Sequence, residues 1–329
     1  MRRALVLSFP SALVLLFFAA CGSRTGLLVP LDESPDATPD RVADVTEEPD
    51  AFDAHREADA EAGFDAPRDV AFRDVPVVDI CPDAGATLIY VLAADNTLYS
   101  FYPPTLALTT IGVLDCLEQD QTPFSMAVDR RGIAYSVYTD GRLFRVDTAS
   151  AACLPTTYAP GQLGFTTFGM GFVANAGDAG DAGETLYVDQ ADQTKDLSQG
   201  LATINTTSYV ASFVAPFTPP NVVYGTELTG TSDGRLFAFY TNGTGSGSHV
   251  IQVDKTNGVV VQDYPLQVGT PEDGYAFGFW GGDFWIFTFS QTSGGTQVTE
   301  FDPVSHVETP ATFLAPNIVG AGVSTCAPQ

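Results

Sequence analysis

The sequence predicts an all-β domain built from repeated antiparallel units, and three observations support that prediction. From residue 81 onward, Val, Ile, Phe, Tyr and Thr occur in alternation or in short apolar runs. Gly, Asp, Asn or Pro interrupts these runs about every 8–12 residues, which is typical of strands joined by turns. A short pattern also recurs along this part of the chain. Because no helical periodicity extends beyond about two turns, no long helix is expected.

The recurring pattern marks one strand in each unit. It consists of two apolar residues three positions apart, then Asp or Asn, then Thr or Ser three positions later. Tyr102 breaks the Asp position in the first copy, and Asn257 breaks the last position in the fourth. Since Asp or Asn at a strand end accepts a backbone N–H two residues on, each copy predicts a third strand followed by a turn. The copies cover residues 98–105, 143–150, 201–208, 250–257 and 298–305.

The spacing of these copies predicts the architecture. It is about 48 residues, except for one longer step that contains a low-complexity insertion at residues 174–183. This period, with about four strands per unit, matches a blade of a β-propeller. The pattern begins at a second strand, residues 87–91, and ends with a first strand, residues 317–323, so both ends complete one blade. The chain resembles circular propellers and Asp-turn repeat families, which implies a five-bladed β-propeller over residues 80–329.

The N-terminal residues have the order of a secretory signal. Basic residues 2–3 precede an apolar run over residues 4–18, and small residues 19–20 precede Cys21. A Cys in this position resembles the lipobox of bacterial lipoproteins. The resemblance implies that residues 1–20 are a signal peptide and that the Cys21 sulfur carries a diacylglyceryl thioether. An ordinary signal peptide with an incidental Cys is the alternative.

The sequence after Cys21 predicts an anchored protein rather than a spanning one. No apolar run of spanning length follows, and two or three acyl chains, palmitate among them, would give a stable anchor. Gly22 stands where an Asp would resemble an inner-membrane retention signal, so we expect the outer membrane. Residues 21–79 are rich in Asp, Ala and Pro and poor in apolar residues, which predicts a disordered tether.

Composition excludes some partners. The chain has 40 Asp and Glu against 14 Lys and Arg, and a net charge of −26. Such a surface repels nucleic-acid phosphates and anionic lipid head groups, so the lipid on Cys21 is the expected membrane link. We expect a monomer without a cofactor, whose ligand is a protein or glycan of the cell envelope.

The cysteines predict disulfides. With Cys21 lipidated, four remain, and an even number in an exported protein favours pairing. Three pairings are possible. The propeller arrangement favours Cys81 with Cys326, which flank the two halves of the closing blade, and Cys116 with Cys153, at the ends of neighbouring outer strands. Free buried thiols are the alternative.

Histidine and cysteine spacing gives no sign of a metal centre. His55, His249 and His306 form no HxH, HxxxH or HExxH motif, and the chain has no CxxC, so no zinc site is predicted. We expect each histidine to be an exposed turn residue. Residues 169–174 match GxGxxA, but no helix is predicted to follow, so no dinucleotide site is assigned.

The insertion at residues 174–183 leaves one metal question open. Asp178, Asp181 and the nearby Glu184 could provide oxygen ligands for Ca²⁺. Their spacing does not match an EF-hand, so a flexible hairpin loop is favoured over a calcium site.

Three carboxylates decide between binding and catalysis. Asp129, Glu227 and Asp283 lie on or beside predicted inner strands, and a glycosidase needs two carboxyls about 5–10 Å apart. Asp129 and Asp283 suit hairpin turns, whereas Glu227 does not. The aromatic residues within 277–289 could stack on sugars, but their alternation is more typical of blade packing.

The sequence therefore predicts a lipid-anchored, non-catalytic binding or scaffolding propeller with an unknown ligand and no assigned catalytic residue. A carbohydrate-active propeller, lectin-like or hydrolytic, is the alternative. Carboxylates that converge on the axis beside aromatic rings would favour the enzyme, and an apolar or Ser/Thr lining would favour the binding domain.

Overall fold

A computed structural model describes residues 87–116, 121–175, 183–190, 198–219, 225–241, 247–268, 273–290 and 292–329. The predicted signal peptide, the predicted tether and Cys81 lie outside these ranges. Within them the chain is all-β, with five sheets of four antiparallel strands each. Two short 3-10 turns, Pro103–Thr105 and Gln162–Gly164, accompany the strands.

The strands fall into five blades, each numbered from its inner to its outer strand. Blade 1 combines β20 (Ile318–Val323) with β1 (Ile89–Ala93), β2 (Thr97–Tyr102) and β3 (Ala107–Val113). Blade 2 contains β4 (Pro123–Val128), β5 (Ile133–Tyr138), β6 (Leu143–Asp147) and β7 (Cys153–Pro155). Blade 3 contains β8 (Phe168–Ala174), β9 (Glu184–Gln190), β10 (Leu201–Ile204) and β11 (Ala211–Ala215). Blade 4 contains β12 (Glu227–Gly230), β13 (Leu236–Thr241), β14 (Ser248–Val253) and β15 (Val260–Leu266). Blade 5 contains β16 (Gly274–Trp280), β17 (Asp283–Ser290), β18 (Gly295–Asp302) and β19 (Val307–Leu314).

The inner strands form a closed ring. β20 contacts β4, and contacts then follow from β4 to β8, β12, β16 and back to β20. The predicted five-bladed propeller is thus confirmed. The shared blade is confirmed as well, because β20 pairs antiparallel with β1, with Ile89 opposite Val323.

Packing between blades forms the core. Strands near the axis are buried on both faces, as in β8, whereas outer strands such as β3 alternate between partly buried and exposed residues. The aromatic residues of blade 5 lie in this core: Phe284 packs 4.9 Å from Phe237 of blade 4, and Phe287 packs 5.6 Å from Phe101 of blade 1, between ring centroids. Blade packing, rather than an exposed sugar-stacking surface, therefore accounts for them.

The predicted third strands are β2, β6, β10, β14 and β18, and their turns share one geometry. In four blades the Asp or Asn after the strand accepts the backbone N–H two residues on, and its carbonyl accepts an N–H from a residue in the left-handed conformation. The four acceptors are Asp147, Asn205, Asp254 and Asp302, and the left-handed residues are Ala151, Tyr209, Gly258 and His306. Blade 1, which has Tyr102 instead, makes a 3-10 turn that ends at left-handed Leu106.

Neighbouring outer strands are joined where one ends and the next begins. A disulfide links Cys116, beyond β3, to Cys153, the first residue of β7. The side-chain amide of Gln162, after blade 2, donates to one backbone carbonyl and accepts one N–H at the start of β11. These joints cover strand edges that could otherwise pair with other chains.

Two further joints use the backbone. Thr218, after β11, forms a parallel bridge with Val259, just before β15. The Glu308 carboxylate on β19 accepts the N–H groups of Gln267 and Val268 at 2.6 and 2.7 Å, beyond the end of β15. Covalent, backbone and side-chain chemistry thus serve the same purpose at different joints.

Candidate functional site

The axis of the ring is the first place to look for a site, and there the inner strands lie very close together. A Cβ on Gly169 would overlap the carbonyl oxygen of Thr226, and one on Gly322 would stand 2.9 Å from the backbone nitrogen of Val128. Because only glycine allows such an approach, the middle of the axis is filled by backbone. Polar side chains concentrate at its two ends.

The entry end is where the inner strands begin, and Glu227 is its central residue. Glu227 opens β12, is 4% exposed, and accepts a hydrogen bond of 2.7 Å from the Ser125 hydroxyl on β4. Burial raises the pKa of Glu227 well above its usual range, and the nearby Asp189 carboxyl raises it further, while the Ser125 hydrogen bond opposes the shift. This bond joins blades 2 and 4, which are not neighbours in the ring.

Asp189, near the end of β9, is the second buried carboxyl of the entry end. It is 0% exposed and accepts bonds from the Thr226 backbone N–H at 2.9 Å, the Thr226 hydroxyl at 3.0 Å and the Ser198 hydroxyl. Burial raises its pKa to about 7, although these donors favour the charged form. Thr226 directly precedes β12, so Asp189 holds blade 3 against blade 4.

Tyr275 completes the entry end. It lies on β16, and its hydroxyl donates a bond of 2.8 Å to the carbonyl of Gly225. Burial, followed by the charges of Glu227 and Asp189, raises the pKa of Tyr275 above its usual value. Ser125, Asp189, Glu227 and Tyr275 together are called the entry cluster below.

The exit end, where the inner strands finish, has a different chemistry. Glu184, the first residue of β9, accepts the Arg130 backbone N–H at 2.7 Å and the Thr325 hydroxyl at 2.9 Å. The Arg130 Nε in turn donates to the Thr325 hydroxyl at 2.7 Å and lies 3.9 Å from the Glu184 carboxylate. Burial raises the pKa of Glu184 to about 7. Arg130, Glu184 and Thr325 are called the exit cluster.

The C-terminal segment covers the exit end. Thr325 is 0% exposed, Cys326 and Ala327 are buried, and the Gly281 N–H donates to the Pro328 carbonyl at 2.9 Å. Residues 324–329 therefore lie between blades 2, 3 and 5 as part of the folded ring. Nothing in the sequence pattern indicated this role, because Thr325 meets its partners only in the folded ring.

The three carboxylates named from the sequence do not come together. Asp129 accepts backbone N–H groups from Arg131 and Ile133 and a guanidinium bond from Arg131 at 2.8 Å, which is turn chemistry beyond β4. Asp283 lies opposite Trp280 in the hairpin between β16 and β17. Burial, followed by the charges of neighbouring acids, raises the pKa of Asp283 to about 6. Both lie at the exit end, and Glu227 lies at the entry end.

The carboxyl that does lie near Glu227 in the folded ring, Asp189, was missed by sequence reasoning. An Asp near the end of a strand looks like a turn residue, and the sequence around Asp189 has no other signal. Its partner Thr226 is 37 positions away along the chain. Only the packing of blade 3 on blade 4 reveals its role.

Other predicted residues fall as follows. Residues 169–174 lie in β8, which a hairpin joins to β9, so no helix follows the GxGxxA match. Glu184 belongs to the exit cluster, while Asp178 and Asp181 lie outside the described residues. Within the described part of the chain, no group of three His, Cys, Asp or Glu side chains could hold a metal ion.

The histidine prediction was right for one residue and wrong for another. His306 is an exposed turn residue with φ of 58°. His249 instead lies within β14, where its ring stacks on Tyr240 at 4.9 Å and its Nδ1 is 2.8 Å from Asp263. The alternating strand pattern places this ring against a neighbouring aromatic, which the scarcity argument ignored. His55 lies outside the described residues.

The disulfide between Cys116 and Cys153 matches the predicted pair and indicates an extracytoplasmic protein, since such bonds persist in oxidising compartments. Cys326 is 6% exposed, and its predicted partner Cys81 lies outside the described residues, as does Cys21. Over the described ranges, no helix has both the length and the apolar character needed to cross a membrane.

Comparisons with known proteins add fold similarity only. No protein-family model matches the chain, and no curated protein matches it. Among solved structures, it is similar to the hydrazine synthase of Kuenenia stuttgartiensis at 13% identity and a TM-score of 0.37, over 67% of this chain and 64% of that one. The chain thus spans less than two thirds of that protein's length.

Two other solved structures show similarity of the same order. A chain of a nidogen/laminin complex is 12% identical, with a TM-score of 0.40, over 74% of this chain and 87% of that one. A luciferin-regenerating enzyme is 12% identical, with a TM-score of 0.37, over 72% and 78% of the two chains. No function follows from likeness at this level.

Proposed function

We propose that this protein is an exported, lipid-anchored propeller of degenerate Asp-turn repeats, which acts in the bacterial cell envelope as a non-catalytic binding or scaffolding domain. Cys21 carries the lipid, residues 21–79 form the tether, and the outer membrane is the expected location. The ligand is a protein or glycan of the envelope.

The observation that supports a non-catalytic role is the state of the axis. Its middle is filled by backbone at Gly169 and Gly322, and at both ends the polar groups are bonded to other groups of the same chain. Serine and threonine hydroxyls supply most of these bonds. Such an axis stabilises the ring, and it leaves the faces and rim of the propeller for a partner.

The carbohydrate-active alternative has weaker support. Glu227 has the raised pKa that a general acid needs. However, Asp129 and Asp283 lie at the opposite end of the axis, and the aromatic residues of blade 5 are used in packing. Asp189 is fully buried and held by donors from its own chain. The geometry therefore favours binding over hydrolysis.

The anchoring part of the proposal is tested by the sulfur of Cys21. The precursor is expressed in a bacterial host fed with a clickable fatty acid, beside the variant Cys21→Ser. We expect the wild-type protein to be labelled and membrane-bound, and the variant to be unlabelled and uncleaved by the lipoprotein peptidase. Persistent labelling of the variant would contradict the proposal.

The non-catalytic part is tested by hydrolysis assays on the full mature chain. A panel of chromogenic glycosides is incubated with the wild-type protein, with Glu227→Gln and with Glu308→Gln, a surface change at the joint between blades 4 and 5. We expect no turnover above background for any of the three. Turnover that is lost in Glu227→Gln and kept in Glu308→Gln would replace the binding function with the enzymatic one.

A further inference from the structure

The two ends of the axis treat their buried carboxyls differently. At the exit end Glu184 has a cation close by, the Arg130 guanidinium at 3.9 Å. At the entry end Asp189 and Glu227 are bonded to hydroxyl and backbone N–H groups. In the part of the chain that the structure describes, neither of these two carboxyls forms an ion pair with Lys, Arg or His within 4.0 Å.

The entry-end carboxyls also hold three blades together. Glu227 reaches Ser125 of blade 2 from the first position of blade 4. Asp189 of blade 3 is bonded twice to Thr226, the residue that leads into β12. Ionisation of both groups would place two negative charges in one buried region, and burying charge without a counter-ion is costly.

The surroundings supply no compensating charge. Strands β4, β8 and β20 contain no titratable residue. From β16 the facing group is Tyr275, and Tyr240 of β13 stacks on His249 instead. Glu227 and Asp189 are therefore the acidic groups that face one another here.

We propose that Asp189 and Glu227 form a pH-sensitive latch, which holds blades 2, 3 and 4 together while the pair keeps at least one proton and loosens as the pH rises. This inference goes beyond the proposed function and does not depend on it. It assigns to the entry cluster a regulated mechanical role at the mouth of the ring.

The direction of the effect follows from linkage. Burial raises the pKa of Asp189 to about 7 and that of Glu227 well above its usual range. The folded state therefore binds these protons more tightly than the unfolded state. The stability they provide is complete below the ordinary carboxyl range and is lost as the pH rises through about 7 and beyond.

The test compares Tm between about pH 5.5 and about pH 8.5 for the wild-type mature chain, Glu227→Gln and Glu308→Gln. The amide introduced by Glu227→Gln stays neutral, so the Tm of this variant should change less with pH than that of the wild type. A full proton difference corresponds to roughly 3 °C per pH unit for a domain of this size. Glu308→Gln removes the same charge from the surface, and its pH slope should match the wild type.

Two results would overturn the latch. One is a pH slope of Glu227→Gln equal to that of the wild type. The other uses the wild-type protein alone, and so remains decisive if the variant does not fold. ¹³C NMR of side-chain carboxyls should show at least two that titrate at or above about pH 7 and shift when Asp189→Asn is introduced. If every carboxyl titrates below about pH 5, the pair is ionised at neutral pH and the proposal fails.

Discussion

Val91, in the first described strand of the chain, lies directly opposite Ala321, in the last. The pairing places one strand from each end of the domain in blade 1, with β20 next to the axis and β1 beside it. Neither end can complete this blade alone. The ring is closed by hydrogen bonds between residues that are far apart in sequence, and this arrangement gives the first prediction.

Truncation after Pro316 should abolish the stable ring. It removes β20 and exposes the edge of β1, which can then pair with other chains. It also removes Cys326, so the predicted bond to Cys81 cannot form. We expect aggregation and loss of the cooperative unfolding transition, measured by light scattering and circular dichroism. Removal of residues 327–329 alone should leave a folded protein, and a cooperative transition in the longer truncation would show that closure is dispensable.

The exit cluster should depend on one hydroxyl. Thr325→Val removes the donor to Glu184 and the acceptor for Arg130 while keeping the shape of the side chain. We expect a loss of about 2–3 kcal/mol in the free energy of unfolding, because two buried charged groups lose a partner. Urea denaturation measures this loss. Thr325→Ser, which keeps the hydroxyl, should lose much less, and equal losses in the two variants would assign the effect to packing.

The disulfide should stabilise the joint between blades 1 and 2. Its loop has a sequence separation of 37, for which chain entropy predicts about 4 kcal/mol at most. The double variant Cys116→Ala, Cys153→Ala should therefore have a lower Tm, whereas Leu154→Ala, at an exposed position of the same strand, should have little effect. An unchanged Tm in the double variant would show that the joint holds without the bond. Peptide mapping without reduction also tests whether Cys81 is linked to Cys326.

Close approach at the axis should make glycine necessary. Gly169→Ala places a methyl group against the Thr226 carbonyl oxygen, closer than van der Waals contact allows, so blades 3 and 4 must separate. We expect a loss of at least about 3 kcal/mol, measured by chemical denaturation. Gly161→Ala is the control: no heavy atom lies within 4 Å of its Cβ, and its φ of 83° should cost only about 1–2 kcal/mol. Similar losses at both sites would contradict the tight axis.

What the sequence predicted well depends on local chemistry. The third strands and their turns follow from the Asp or Asn at 147, 205, 254 and 302, whose hydrogen bonds are made within a few residues. The closing blade followed from counting strands. The disulfide between Cys116 and Cys153 followed from placing both residues on neighbouring outer strands.

What the sequence did not predict depends on contacts between blades. Asp189 resembles any strand-end aspartate until Thr226 is brought beside it. Thr325 has no sequence signal, although it is fully buried. Glu227 was recognised as unusual, but its partner Ser125 lies 102 positions away, on a strand whose pattern shows only that it is apolar.

The shared blade has a consequence for when the protein can fold. A chain is synthesised from its N-terminus, so β1, β2 and β3 emerge first and wait without their inner neighbour until β20 is complete. Blades 2 to 5 can form their hairpins during this interval, because each is continuous in sequence. The last step joins residues separated by nearly the whole domain, and such long-range pairing makes folding slow. The protein therefore acquires its finished form only after its final residues have appeared.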